Sequence, residues 1–228
     1  MREVIYDTET TGKRYQDGHR VVEIGAIELI DGVITGRQFH KIINPERHIP
    51  DDVIAIHGIT NEQVANAPRF KDILPEFLEF FRGAKVIAHN GDFDERFLDN
   101  ELKLADHSES FWTIVAEAAD TIPMSRKIWF GTQYKHNLNV VLDRCNIDRS
   151  ERSLHGGLID SQLLAKAYLH MKKLIIEMGP TLEDDVPRGP IQRIHLKKPL
   201  CPVIVNDESL ALHEKAVNNS RSTLSPKP

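Results

Sequence analysis

Two rhythms of apolar residues alternate along this chain. Val4, Ile5 and Tyr6 form a short apolar run that ends in Asp7-Thr8-Glu9-Thr10-Thr11-Gly12, the pattern of a strand running into polar residues. Val21–Ile30 and residues 33–43 are rich in β-branched side chains and meet at Asp31-Gly32, a dipeptide that favours a tight hairpin. Phe70, Ile73, Leu74, Phe77, Leu78 and Phe81 then recur at helical spacing and predict a core-facing helix. Lys85-Val86-Ile87-Ala88-His89-Asn90 reads as a buried strand with a polar end, followed by a second helical pattern at Phe93, Phe97, Leu98 and Leu102. Residues 138–142 begin another helix, and Leu163, Leu164, Ala167 and Tyr168 mark one more. Trp112 and Trp129 fall in the less regular stretch 111–134 and read as packing residues; no element is predicted over 120–130. The order strand, hairpin, helix, strand, helix and two further helices predicts an α/β fold, a mixed sheet flanked by helices.

The polar ends of these elements carry the candidate chemistry. On a strand, positions i and i+2 face the same side, so Asp7 and Glu9 present two carboxylates together. Acids held that close repel unless a cation lies between them. Asp94 falls on the first turn of the helix after Asn90-Gly91-Asp92-Phe93, near a strand end. In Leu154-His155-Gly156-Gly157-Leu158-Ile159-Asp160, His155 lies on the glycine-loosened approach to a helix and Asp160 inside its first turns. Each piece alone has a plainer reading: a solvated acid pair, a helix cap at Asn90, an exposed loop histidine. Together they suit a hard divalent cation, Mg2+ or Mn2+, which keeps positions open for water and phosphate. Two such ions about 3.5–4 Å apart stabilise both oxygens of an in-line phosphoryl displacement. A neutral imidazole, with a reference pKa of about 6.5, can take the proton of the attacking water.

Asp7-x-Glu9, Asn90-x-x-x-Asp94 and His155-x-x-x-x-Asp160 resemble, in order and over roughly residues 3–171, the three motifs of the DEDDh 3′–5′ exonucleases. His155 stands five positions before Asp160 and no tyrosine stands four before it, which favours the histidine variety over its tyrosine relative. The resemblance implies a ribonuclease-H-like fold, two divalent cations held by Asp7, Glu9, Asp94 and Asp160, and His155 as general base. It further implies that the region of His57 lines the pocket for the terminal nucleotide, with an acidic residue five positions earlier also touching substrate. That place holds Asp52, one methylene shorter than the expected glutamate. Thr10 and Phe93, beside the metal ligands, are further pocket candidates. For residues 51–60 the plainer alternative is a loop or short helical turn before Thr60, which reads as the N-cap of a helix over Asn61–Ala65.

Composition narrows the setting. The chain has 228 residues, 40% hydrophobic and 28% charged, enough for one catalytic domain with an extension, and it holds no long apolar span. A candidate ligand at residue 7 leaves no room for a signal peptide ahead of the first strand, and Cys145 and Cys201 lack metal spacing, so a cytoplasmic setting with free thiols is expected. A net charge of −5 speaks against a broad basic surface for duplex DNA. A grip on a few nucleotides of a single-stranded 3′ end fits better, as does delivery to substrate by a partner.

Composition shifts after Lys173, beyond which seven of the twelve prolines lie. Residues 1–173 therefore read as the exonuclease domain and 174–228 as a linker with a partner-binding tail, a disordered tail being the alternative. Ile191-Gln192-Arg193-Ile194, with the later Asp207-Glu208 and His213-Glu214, resembles the tail of the epsilon proofreading subunits of bacterial DNA polymerase III. That likeness implies contact with the polymerase III alpha subunit through residues 191–217. Residues 172–178 lack the glutamine and phenylalanine of the clamp-binding motif, which speaks against direct sliding-clamp contact. The function expected is removal of mispaired 3′-terminal nucleotides from DNA, with an RNA-trimming exoribonuclease or a non-catalytic scaffold as alternatives.

Overall fold

The computed structural model describes residues 1–130, 135–150, 152 and 154–179. At its centre is β1 (Arg2–Thr10), paired antiparallel with β2 (Val21–Ile30) and parallel with β4 (Lys85–Ala88). Antiparallel β3 (Val33–Ile42) and parallel β5 (Glu117–Asp120) complete a five-stranded sheet of order β3-β2-β1-β4-β5. The expected hairpin forms at Asp31 and Gly32, whose φ values of 51° and 79° are the pair of left-handed residues that a tight two-residue turn requires.

Side-chain alternation divides the core into two layers. Val4, Tyr6, Val86 and Ala88 pack on one face against α3 (Phe70–Phe81), α4 (Gly91–Leu104) and the short α5 (Phe111–Ile114), through Phe77, Phe81, Phe97, Leu98 and Phe111. Ile5, Ile27, Leu29 and Ile87 face the other way and meet α8 (Gly157–Met178) at Leu164, Ala165 and Tyr168. Outside these layers, α1 (Asp51–His57) and α2 (Asn61–Ala65) close over Val22 and Ile49. Between β5 and α8 run α6 (Thr121–Ile128) and α7 (Leu138–Arg144).

Several details depart from the pattern reading. Of the loop or short helical turn expected before Thr60, residues 51–57 form the helix, and Thr60 caps α2 as expected, in a reciprocal box with Gln63. Strand β5 and helix α6 lie where no element is predicted. Glu-Ala-Ala-Asp has no alternation to read, being an edge strand held only by β4. Asp120 begins α6 by accepting from Ile122 N at 2.8 Å and also accepts from Asn90 N and Gly91 N at the start of α4. Trp129 packs near Val141 as expected, but Trp112 is 50% exposed, because Phe111 and Ile114 take the inward positions of α5. Cys145 is a free, buried thiol. Helix α8 continues through Met178, across the boundary expected at Lys173, and the tail motifs at 191–217 lie outside the described residues.

Candidate active site

Strand β1 sets the first two acids. Asp7 and Glu9 continue the alternation of Ile5 and point to the α8 side, opposite Gly25 and Glu23 of β2, before a register shift between Glu9 and Thr10 ends the regular pairing. Helix α8 can start directly over them because two glycines meet. A Cβ on Gly25 would stand 2.1 Å from the Gly157 backbone, and one on Gly157 would stand 3.0 Å from the Asp7 carbonyl. Polar bonds fasten the contact: Gly157 N donates to Glu23 Oε2 at 2.9 Å, and Ser161 Oγ donates to the carbonyls of Gly25 and Gly157, both at 2.7 Å. The positive end of the α8 dipole thereby lies at the acids, with Asp160 on its first turn.

Asp94 arrives from the opposite layer. It is buried at 3% exposure on the first turn of α4 and accepts from Thr8 N at 3.1 Å and Thr8 Oγ1 at 2.6 Å, which binds it to β1 between Asp7 and Glu9. His155 sits on the loop before α8, where its backbone N–H donates to Ile56 O of α1 at 3.1 Å. Leu154 lies over Gly58, whose φ of 76° is one that residues with a side chain rarely adopt. Ligand atoms of Glu9, His155 and Asp160 all lie within 4.8 Å of one another. Asp7 and Asp94 stand outside that tight group.

Electrostatics fits a cation at this place. Burial, and then repulsion from Asp94, Glu9, Asp160 and Glu23, holds the Asp7 carboxyl well above the usual range. Burial with repulsion from Asp160 and Glu23 pushes Glu9 up to about 8, and burial outweighs the Thr8 hydrogen bonds to bring Asp94 to about 7. Such a set of oxygen donors, each disfavoured as a free anion, matches a hard divalent ion.

Beside the acids opens a cleft of about 560 Å3, lined by Glu9, Thr10, Arg14, Asp52, His57 and Phe93 among others. All four pocket candidates from the sequence therefore line it. His57 Nδ1 accepts from Ile59 N at 3.0 Å, so the ring proton belongs to Nε2, which is buried beside the Thr10 backbone without a well-formed hydrogen bond. Burial keeps this imidazole below its usual pKa.

Residues absent from the sequence reading complete the site. Glu23 lies opposite Glu9 and ties His40, at 2.7 Å, to the start of α8. A lone acid in the apolar run Val-Val-Glu-Ile-Gly was a legible sign of it. Arg152 binds Asp160 through a two-pronged contact and also touches His155 and Asn139. Nothing in the sequence distinguishes it from a surface arginine.

The description "Exonuclease" belongs to the family model that matches residues 4–168. DNA polymerase III subunit epsilon of Rickettsia felis is 46% identical over 171 residues, covering 75% of this chain and 74% of that protein. The subunit of the same name from Escherichia coli K12 is 33% identical over 222 residues, covering 93% and 90%. The chain belongs to this exonuclease family, within the branch formed by the epsilon subunits of DNA polymerase III. Divalent-metal dependence is general in the family. Among solved structures, the nuclease domain of 3′hExo, a DEDDh family member bound to rAMP, superposes with a TM-score of 0.65 at 19% identity, covering 75% of this chain and 92% of that one. Exonuclease I reaches 0.66 at 14% identity, over 75% and 41%. These two likenesses are of fold, and they agree with the ribonuclease-H-like mixed sheet.

Proposed function

We propose that this chain is the proofreading 3′–5′ exonuclease subunit of a replicative DNA polymerase, removing mispaired 3′-terminal nucleotides from DNA in the cytoplasm. The observation that carries the reading is the gathering of mutually repelling acids from β1, α4 and α8 beside a cleft able to take a nucleotide. In this reading Asp7, Glu9, Asp94 and Asp160 hold two divalent cations, Mg2+ or Mn2+. Bound there, the ions would offset the charge of the scissile phosphate and acidify the attacking water. His155 takes that water's proton. The water oxygen bonds to phosphorus as the P–O3′ bond breaks, the released nucleotide carries a 5′-phosphate, and the departing O3′ takes up a proton to become the new 3′-hydroxyl of the shortened strand. His57 contributes a wall of the pocket for the terminal nucleotide, Asp52 an acceptor for its sugar, Thr10 a further polar contact and Phe93 a stacking surface. A mispaired end unpairs more easily than a matched one, giving selectivity without base readout.

The test uses primers ending in a matched or mismatched pair, and RNA of the same sequence, with Mg2+, Mn2+ or EDTA. Mismatched ends should be trimmed about tenfold faster than matched ones, because less unpairing is needed. EDTA should stop hydrolysis. A clear preference for RNA overturns the proofreading assignment, and near-normal hydrolysis by a folded Asp7→Ala protein overturns the metal ligands. The proposed contact with the polymerase alpha subunit is through residues 191–217. Capture by that subunit of the full chain, but not of a chain ending at Gly179 with α8 intact, would support it; equal capture of both overturns it.

A further inference from the structure

Arg152, between α7 and α8, has no task in the reaction just described. Its side chain is only 6% exposed and approaches Asp160, itself 3% exposed. Nε bonds Asp160 Oδ1, while one terminal nitrogen reaches Asp160 Oδ2 at 2.5 Å and His155 Nδ1 at 2.8 Å; the other bonds Asn139 Oδ1. A guanidinium has only donors, so His155 Nδ1 is the acceptor in this contact. Nδ1 is also the nitrogen 3.3 Å from Asp160 Oδ2. The lone pair that faces the acids is thus engaged by arginine, together with both oxygens of Asp160. These are the groups whose atoms, with Glu9, lie close enough to share a cation.

We infer that Arg152 is an internal counter-cation: it occupies the Asp160–His155 side of the site in the metal-free chain and competes with the incoming ion for Asp160. The inference rests on the reading of this site as a metal-dependent hydrolase. Its physical basis is that a buried carboxylate needs a positive partner, and a forked arginine supplies one at fixed geometry. The same guanidinium offsets the charge of Glu9. Metal and arginine therefore solve one electrostatic problem at one place, and each makes the other dispensable.

The discriminating variant is Arg152→Gln in the full chain, stripped of metal and titrated with MnCl2 in a calorimeter, with melting followed in EDTA and in Mn2+. With the competitor removed, Mn2+ should bind about fivefold tighter or more, although the metal-free variant melts lower because Asp160 is left unpaired. An arginine that merely supports the metal site would give weaker Mn2+ binding. For a variant that fails to fold, the wild-type chain answers instead: the 15N resonance of the Arg152 Nε–H should shift and exchange faster on adding Mg2+, and an unmoved signal overturns the inference. Wild-type chain that binds Mn2+ and degrades DNA, while the glutamine variant binds no tighter, overturns the role of Arg152 alone. Wild-type chain that binds no Mn2+ overturns the hydrolase reading and this inference together.

Discussion

Asp94 and Asp160 are acids of nearly equal burial, 3% and 2% exposed, each on the first turn of a helix, yet they are held by opposite means. Asp94 receives neutral donors from Thr8, which cannot cancel its charge, and its carboxyl stays high at about 7. Asp160 receives the guanidinium of Arg152. One half of the site is therefore fixed by the sheet and left short of positive charge, while the other half brings its own. The difference teaches that a polyanionic site need not be uniformly strained. Where a basic side chain reaches an acid, the repulsion is relieved locally; where only neutral donors reach it, protons or a cation would have to do so.

The comparison breaks most visibly when either acid is removed. Asp94→Ala and Asp160→Ala should each lower hydrolysis by about a thousandfold or more, measured as steady-state turnover, since each would remove a proposed cation ligand. Their stabilities should part. Asp160→Ala strands a buried arginine and should lose about 3 kcal/mol in urea melts with EDTA, whereas Asp94→Ala also removes a repulsive neighbour of Asp7 and should lose less. Equal losses would deny the difference between the halves.

Gly25→Ala acts on one half only. The added methyl meets the Gly157 backbone and must lift the start of α8, moving Asp160 and His155 away from Asp94. Turnover should fall about a hundredfold from misplacement, with a loss of about 2 kcal/mol from overpacking.

Acidity gives a gentler probe. Glu9, at about 8, and Asp94 and Glu95, at about 7, all lie above ordinary carboxyl values. Over that interval the folded chain holds protons that the unfolded chain has released. Stability is therefore complete below the unfolded pKa, near 4, and is lost as pH rises through about 7–8. His57, with its lowered pKa, works in the opposite sense below about pH 6.5, so the clean window lies between about 6.5 and 8. In EDTA the melting temperature should drop across it by several degrees, and saturating Mg2+ should flatten the slope.

Thr8→Val, the smallest change, removes the hydroxyl donor to Asp94 but keeps the backbone N–H. Mn2+ affinity should weaken about tenfold in calorimetry, as for other partners of ligating carboxylates.

How much of this was legible follows from how local each cause is. The hairpin depends on two residues that tolerate positive φ, Thr60 and Gln63 cap α2 within one turn, and the shared face of Asp7 and Glu9 follows from strand alternation alone. The order of the acidic motifs was equally readable. Strand β5 was not, because its four residues gain their conformation from β4 rather than from their own pattern. Arg152 owes its role to Asn139 on α7 and Asp160 on α8, neighbours that only the closed fold supplies. Gly25 stands between these cases: a glycine inside an apolar strand signals a close approach, though not what approaches.

Asp120 carries a further consequence. By receiving N–H groups from the beginnings of both α4 and α6, its one carboxylate acts as a shared hinge pin. Helix α4 bears Asp94, so a tilt of α6 would carry through this carboxylate to the depth of that acid.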